Sequence, residues 1–399
     1  MLNVSLKNTI AGPTGYSNGD AGPIFVGLTP FPRKSAWPEW KARINSNGAP
    51  HLCEGGLRTT GCVKKGTAEK PLISFVTIVR NSQKTIERTI KSVQDQTYTN
   101  VEHVVVDGAS TDDTLGIIKK YDAKLDYYVS EKDAGLYDAL NKAVELALGE
   151  IICVLNSDDW LEPNAAQLAA DVYKRRKSEN LVIFTAAKVM DESKIHFWSP
   201  AFVHPGSIFV CPNVCHNGIF ASRAAYEASG SYDNQLKIAA DSKWILQCLS
   251  AGSEFIYTHE PTVNYSLGGT SSNLLKHSIE FMSIIKEKFS FLTDQELHGI
   301  YHCFFVFSNR DNGFYSNNPT KKTEFIQNLY VKYLNEIEFI NALNWAILVT
   351  ALHPADMKVN SFGQNESVLK NLAKKALKRT PILFNFAKKV NQRFVTGND

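Results

Sequence analysis

Four apolar runs, set apart by segments of helical periodicity, constrain what this chain can fold into more than any other feature. LISFVTIV (72–79) is continuous, apolar and β-branched, the pattern of a strand buried on both faces. VEHVVV (101–106) repeats the pattern and ends at Asp107-Gly108; a third strand is expected over 126–130 and a fourth in EIICVLN (150–156). Ser82 is placed to cap a helix whose Ile86, Ile90 and Val93 fall on one side. Ser110 or Thr111 would cap the next, with Asp112 and Asp113 in its first turn, where the helix dipole favours acids. Leu136, Ala139, Leu140, Ala143, Val144 and Ala147 form the apolar stripe of a third helix, and Gly149 is expected to stop it.

Strands alternating with amphipathic helices predict an α/β fold, a Rossmann-like, mostly parallel sheet with helices on both faces. Ligands of such sheets bind beyond the carboxyl ends of the strands. Thr77 to Asn81, Asp107 and Asp158 stand at such ends and are expected on one rim. A Gly-x-Gly-x-x-Gly turn does not follow the first strand, which argues against a dinucleotide fold.

The 399 residues divide by texture into three. Residues 1–70 are rich in Gly, Pro, Asn and Ser, and segments such as AGPTGYSNGDAGP read as loop; FPRKSAWPEWKARI is either a short packed element or a mobile leader. Residues 71–270 hold the strand-and-helix pattern, and 271–399 look mainly helical. A formal charge of +3 is too near balance for a nucleic-acid binder. Seven scattered cysteines suit a reducing compartment; Cys211, Cys215 and His216 lie close together, but no second ligand pair with zinc-like spacing follows. The N-terminus lacks a signal-peptide pattern, and no apolar run approaches the ~18 residues that span a bilayer, Trp345 to Leu352 being too short. The expected location is cytoplasmic, with the inner face of the cell membrane as an option. The option comes from residues 366–394, where VLKNLAKKALKRTPILFNFAKKVNQRF is basic, free of acids and amphipathic. A solvated helical cap is the alternative.

VLNSDDWLEP (154–163) carries the clearest chemistry. An apolar strand runs into Asp158 and Asp159, a pairing that suits Mg²⁺ or Mn²⁺. Such an ion needs only one or two protein carboxylates if a diphosphate supplies the rest. The same two acids could instead cap the following helix.

With this motif the chain resembles family 2 glycosyltransferases of the GT-A fold over residues 72–272. The resemblance is carried by FVTIVRN (75–81), VVVDGASTDDT (104–114), SEKDAGLYDALNKAVELALGE (130–150), LNSDDWLEP (155–163), HNGIFASR (216–223), GSYDNQLKIAADSKWILQ (230–247) and YSLGGTSS (265–272). It implies an inverting, non-processive transferase that takes a nucleoside-diphosphate sugar, with UDP as the expected nucleotide, and passes the sugar to an acceptor hydroxyl on a saccharide or lipid-linked saccharide. It places Thr77, Arg80, Asn81, Asp107, Asp133, Asn141, Lys142, Asn156 and Ser157 around the nucleotide and donor. Asp107 matches the acid that accepts from the uracil ring; its alternative role is capping the Gly108 turn. The family's Asp-x-Asp metal motif reads Asn156-Ser157-Asp158 here, so its first acid is missing while Asp158 matches the direct ligand. Asp159, His216, Gly268 and Gly269 are candidates for acceptor or phosphate contacts; Asp159 would stand behind the metal ligand, His216 is alternatively a structural histidine, and the glycines form either a loop closing over the donor or a plain turn. Asp241 matches the catalytic base that takes the acceptor's proton; unmatched, it would be an ordinary helix N-cap. The Gln-x-x-Arg-Trp motif and spanning helices of the family's processive synthases are missing from the sequence.

Two other functions stay open on sequence. Nucleotidyl transfer shares the strand-and-helix layout, although RNSQKT lacks the Gly-rich basic loop it needs. A nucleotide-sugar or glycan-binding module with a decayed site is the reading that Asn156 keeps open.

Overall fold

The structure is a computed structural model that describes residues 27–31, 53–190, 194–267, 273–305 and 319–351. Its centre is a parallel block. Strand β2 (Ile73–Val79) pairs in parallel with β3 (Val101–Asp107) on one side and with β5 (Ile151–Val154) on the other; β3 pairs in parallel with β4 (Tyr127–Ser130). Every residue of β2 is buried. Ile73 and Phe75 pack into one apolar layer and Val76 and Ile78 into the layer opposite, which explains the absence of polar alternation in the run.

Helices α1 (Ile86–Gln94), α2 (Thr114–Lys120) and α3 (Leu136–Leu146) cross between these strands. Ile86, Ile90 and Val93 are buried as their spacing predicts. The ends differ from expectation. Ser82 supplies its backbone carbonyl, not its side chain, to the start of α1. Helix α2 begins after Asp113, and Ser110 is drawn away to Asp107 instead of capping it. Leu136 is 41% exposed and Tyr137 takes the core position beside it. Helix α3 stops at Leu146 through the extended backbone of Ala147. Gly149 is needed for close approach, because a Cβ there would sit 2.6 Å from the Leu72 carbonyl.

Among the described residues the sheet has ten strands and extends beyond the parallel block as a mixed sheet, with an order that starts at β1 (Cys53–Gly55) and runs β1-β4-β3-β2-β5-β9-β7-β10-β6. Here β6 is Trp160–Leu161, β7 Leu181–Met190, β9 Ile219–Ser222 and β10 Glu254–Ser266, while β8 (Ile195–Trp198) pairs with β7 off this path. Strand β9 runs antiparallel to both β5 and β7. Strand β1 lies in the segment expected to be irregular and forms an antiparallel edge on β4.

Helices α4 (Ala165–Lys174), α5 (Ser207–Val210), α6 (Arg223–Ser229) and α7 (Ala240–Ser250) complete this region, followed by α8 (Leu274–Lys288), α9 (Asp294–Phe304), α10 (Pro319–Lys332) and α11 (Ile337–Ala351). An apolar cluster joins Phe209, Ala239 and Leu246 to Phe281, Ile285, Ile300, Leu329, Phe339 and Leu343. Leu28 and Phe31 are buried in the same cluster. Among the described residues no helix is long and apolar enough to cross a membrane. The basic segment 366–394, all of AGPTGYSNGDAGP, all of FPRKSAWPEWKARI but Phe31, and Gly268 and Gly269 lie outside the described residues.

Candidate active site

Strand order reverses direction at β2, whose parallel neighbours lead away to β3 on one side and β5 on the other. A crevice opens at such a switch point beyond the strand ends. Asp107, in register with Val79, ends β3 and is buried. Its Oδ1 accepts from the Ser110 hydroxyl at 2.5 Å, and its Oδ2 from the Ser130 hydroxyl at 2.6 Å and the Ser110 N–H at 3.1 Å. A carboxylate offers roughly four acceptor sites, so about one is left for a ligand N–H. Asn81 has a left-handed backbone, φ 53°, that turns its N–H to the Ser110 hydroxyl and its side-chain oxygen to the Thr111 N–H. The next residue, Ser82, shares a 3.1 Å hydrogen bond with the Ser157 hydroxyl. This chain of contacts ties the end of β3 to the loop after β5, so Asp107, Asn81, Ser157 and Asp158 stand along one rim.

Asp133 enters from the loop after β4. A Cβ at Gly108 would lie 2.2 Å from its Oδ2, so the carboxylate rests directly on the Gly108 backbone. Burial raises the Asp133 carboxyl above its ordinary range, and Arg80 opposes that rise. Arg80 and Asp133 therefore face each other over the turn that follows Asp107.

The paired acids after β5 separate. Asp159 is buried and turned inward, where its oxygens accept from the Ser266 N–H at 2.7 Å and from the Asn217 amide. Burial raises its carboxyl to about 7. The Asp159 side chain thus ties β10 and the turn before β9 to the rim and is not an exposed acceptor or phosphate contact. Asp158 is half-buried, and its carboxylate has no hydrogen-bond donor among the described residues. Its backbone carbonyl is held at 2.7 Å by Arg88 and at 2.7 Å by the Ser266 hydroxyl. The Arg88 guanidinium also lies 3.6 Å over the Trp160 ring. Among the described residues no cluster of three His, Cys, Asp or Glu side chains could hold a metal alone. One unengaged carboxylate beside the neutral Asn156 fits a cation that draws its remaining ligands from a diphosphate and water.

Asp241 lies in the first turn of α7, where Ala239 is the N-cap. It is therefore not the N-cap itself. Its Oδ1 accepts from the Ser242 N–H at 2.7 Å and, more weakly, from the Tyr137 hydroxyl at 3.4 Å. Its Oδ2 has no donor among the described residues. The buried Cys215 feels both the Asp159 and the Asp241 charges, and burial pushes its thiol up to about 12. Asn217 bonds Asp159, the adjacent His216 bonds Tyr232, and Tyr232 stacks on the Tyr137 whose hydroxyl reaches Asp241, so a chain of contacts joins Asp241 to the Asp158-Asp159 loop. His216 bonds Tyr232 at 3.0 Å, and burial lowers its imidazole while Asp241 opposes the fall.

Three expected donor contacts are occupied elsewhere. Thr77 lies two residues inside β2, fully buried, with its hydroxyl 2.9 Å from His103 Nε2. It is a core residue. Asn141 exchanges hydrogen bonds of 2.8 Å each with the Tyr232 backbone N–H and carbonyl, so its amide joins α3 to the segment before α7. Lys142 is buried against Glu131, and burial lowers its ammonium to about 8. Sequence reasoning missed Ser110, Ser130, Asn217, Ser266, Tyr137 and Arg88. Asn217 and Ser266 stand inside motifs of the resemblance, but their partner, Asp159, is read from coordinates.

Acids and serines gathered at the switch point of a parallel block define an α/β protein with its ligand site on the strand rim. Residues 74–213 match the family model described as Glycosyl transferase family 2. It is 28% identical over 216 residues to a chondroitin synthase of Escherichia coli, covering 53% of this chain and 31% of that protein. It is also 28% identical over 211 residues to a PGL/p-HBAD biosynthesis glycosyltransferase of Mycobacterium bovis, covering 51% of this chain and 80% of that one. The S. aureus TarS 1-349 structure in complex with UDP-GlcNAc aligns at TM-score 0.48 with 17% identity, over 82% of this chain and 92% of that one.

Proposed function

We propose that the protein is an inverting, single-addition glycosyltransferase that moves a sugar from a nucleoside-diphosphate sugar to an acceptor hydroxyl in polysaccharide or glycolipid assembly. UDP is the nucleotide. The observation that carries this reading is a difference among the rim acids. Asp107 and Asp159 have both oxygens engaged, whereas Asp158 keeps both oxygens, and Asp241 keeps Oδ2, without a donor among the described residues.

Each unengaged oxygen has a task. Asp241 Oδ2 takes the proton of the acceptor hydroxyl as that oxygen bonds the anomeric carbon. The bond from that carbon to the diphosphate breaks on the opposite face, so the configuration inverts. The Ser242 N–H and Tyr137 hydroxyl hold Oδ1 and thereby fix the carboxylate. Asp107 accepts one N–H of the base with its remaining lone pair, and Arg80 and Asp133 flank the donor. Asp158 would hold Mn²⁺ or Mg²⁺, with Asn156 as a neutral neighbour; when bound, the ion offsets negative charge on the diphosphate. The likeness to a chondroitin synthase supports a saccharide acceptor. The basic composition of 366–394 supports contact with an anionic membrane; deleting 366–399 and finding undiminished liposome sedimentation would end that part.

The test is incubation with UDP-sugars and Mn²⁺, watching for slow release of UDP. Release by the wild type is expected, as is a nucleotide affinity that falls at least about tenfold in Asp158→Ala. Equal affinity with and without Mn²⁺ in both proteins would remove the metal site. Pyrophosphate release from a nucleoside triphosphate would point to nucleotidyl transfer instead.

A further inference from the structure

Helix α7 carries Asp241 but begins without a capping side chain, because its N-cap is Ala239. The segment leading into it presents three successive N–H groups, and an uncompensated N–H in a partly buried position is costly. One side chain accepts all three. Glu280 of α8 takes the Lys237 N–H on Oε1 at 2.8 Å and the Ile238 and Ala239 N–H groups on Oε2 at 2.8 and 2.9 Å. Seven residues further along α8, Glu287 accepts from Lys243 at 2.7 Å, and Asp233 accepts from the same buried ammonium at 2.8 Å. Helix α8 therefore grips α7 at two places on either side of Asp241. From the opposite side the Tyr137 hydroxyl donates to the Ile238 carbonyl at 2.6 Å and reaches Asp241 Oδ1.

We infer that Glu280 is a positioning residue for the reaction, setting the base helix from outside the segment that the family model matches. This rests on the reading of Asp241 as the base. The backbone on which Asp241 rides is fixed by a carboxylate nearly forty positions on, so the helical layer takes part in the chemistry. Donor binding lies elsewhere, on the β3 and β5 rim, and does not depend on Glu280.

The experiment is Glu280→Ala, Glu280→Asp and Asp241→Asn in the full chain, assayed for UDP release from UDP-glucose and UDP-N-acetylglucosamine with Mn²⁺. Thermal melting and UDP titration give the folded fraction and nucleotide affinity. Glu280→Ala should lower kcat per folded molecule at least tenfold, with donor KM and UDP affinity changed less than twofold. Glu280→Asp should recover part of that kcat, because a carboxylate can still accept from the N–H groups. A purely structural Glu280 would lower the melting temperature and leave kcat per folded molecule unchanged, which overturns the inference. If Asp241→Asn turns over normally, or the wild type releases no UDP, the base reading on which it rests is what fails.

Discussion

Thr77 and Asp159 show what a single residue's position decides. Both stand in strand-end motifs, yet one oxygen-bearing side chain is spent on His103 and the other on Asn217 and Ser266. A motif gives the residue type; the direction of a side chain in a pleated strand depends on the register of its neighbours. His103 and His204 illustrate a consequence. Both are fully buried, and burial pushes each imidazole down to about 3. An unfolded histidine titrates near 6.5, so below that pH the unfolded chain binds protons that the native one refuses. Stability is then fully present above pH 6.5 and is lost as pH falls toward 3, by up to about 1.4 kcal/mol per pH unit for each group. Chemical denaturation of the wild type and His103→Gln at pH 7 and pH 5 should show a smaller drop for the variant; parallel losses would refute the assignment. Gly108→Ala is predicted to displace Asp133, since the added carbon would meet its oxygen at 2.2 Å. Calorimetry should show UDP affinity reduced about tenfold or more, and an unaltered value would detach Asp133 from the nucleotide.

At the scale of elements, the four strands of the parallel block were legible because β-branched runs allow few alternatives. The ends of helices were less so. Ser82, Ser110 and Gly149 each stand where a cap or stop is expected, but Ser82 and Gly149 meet contacts distant in sequence, Ser157 and the Leu72 carbonyl, while Ser110 turns back three residues to Asp107. Local signals compete with tertiary partners that no window of sequence contains. Asn141 is a similar case. Its amide satisfies the Tyr232 backbone 91 residues away, which joins α3 to the approach to α7. Asn141→Ala leaves two buried backbone groups unpaired and should cost about 2–4 kcal/mol. A loss below 0.5 kcal/mol in urea titration would mean that water replaces the amide at little cost.

Over the whole molecule, the rim was legible as a set of strand ends, while the helical layer was legible only as helix. The apolar cluster crosses the divide between residues 270 and 271 that composition suggests, with Phe209 and Leu246 on one side and Phe281, Phe339 and Leu343 on the other. A chain ending at residue 272 would uncover that surface, each large side chain worth about 1.5–3 kcal/mol of burial. It is predicted to be aggregated or cooperatively unfolded by size-exclusion and near-ultraviolet circular dichroism. A monomeric, sharply melting fragment would make the helical layer a separate unit. The mixed extension of the sheet through β9 was not legible, because an antiparallel strand and a parallel one share the same buried pattern.

The proposed function rests on a division of labour in which Asp158 would meet the donor and Asp241 would take the acceptor's proton. Asp241→Asn separates the two, since the amide keeps the shape but cannot serve as the base. UDP binding by calorimetry with Mn²⁺, alongside turnover of the best UDP-sugar, is the direct measurement. The account predicts UDP affinity within twofold of wild type and turnover reduced at least about 100-fold. Turnover near the wild-type rate with the same affinity would contradict it.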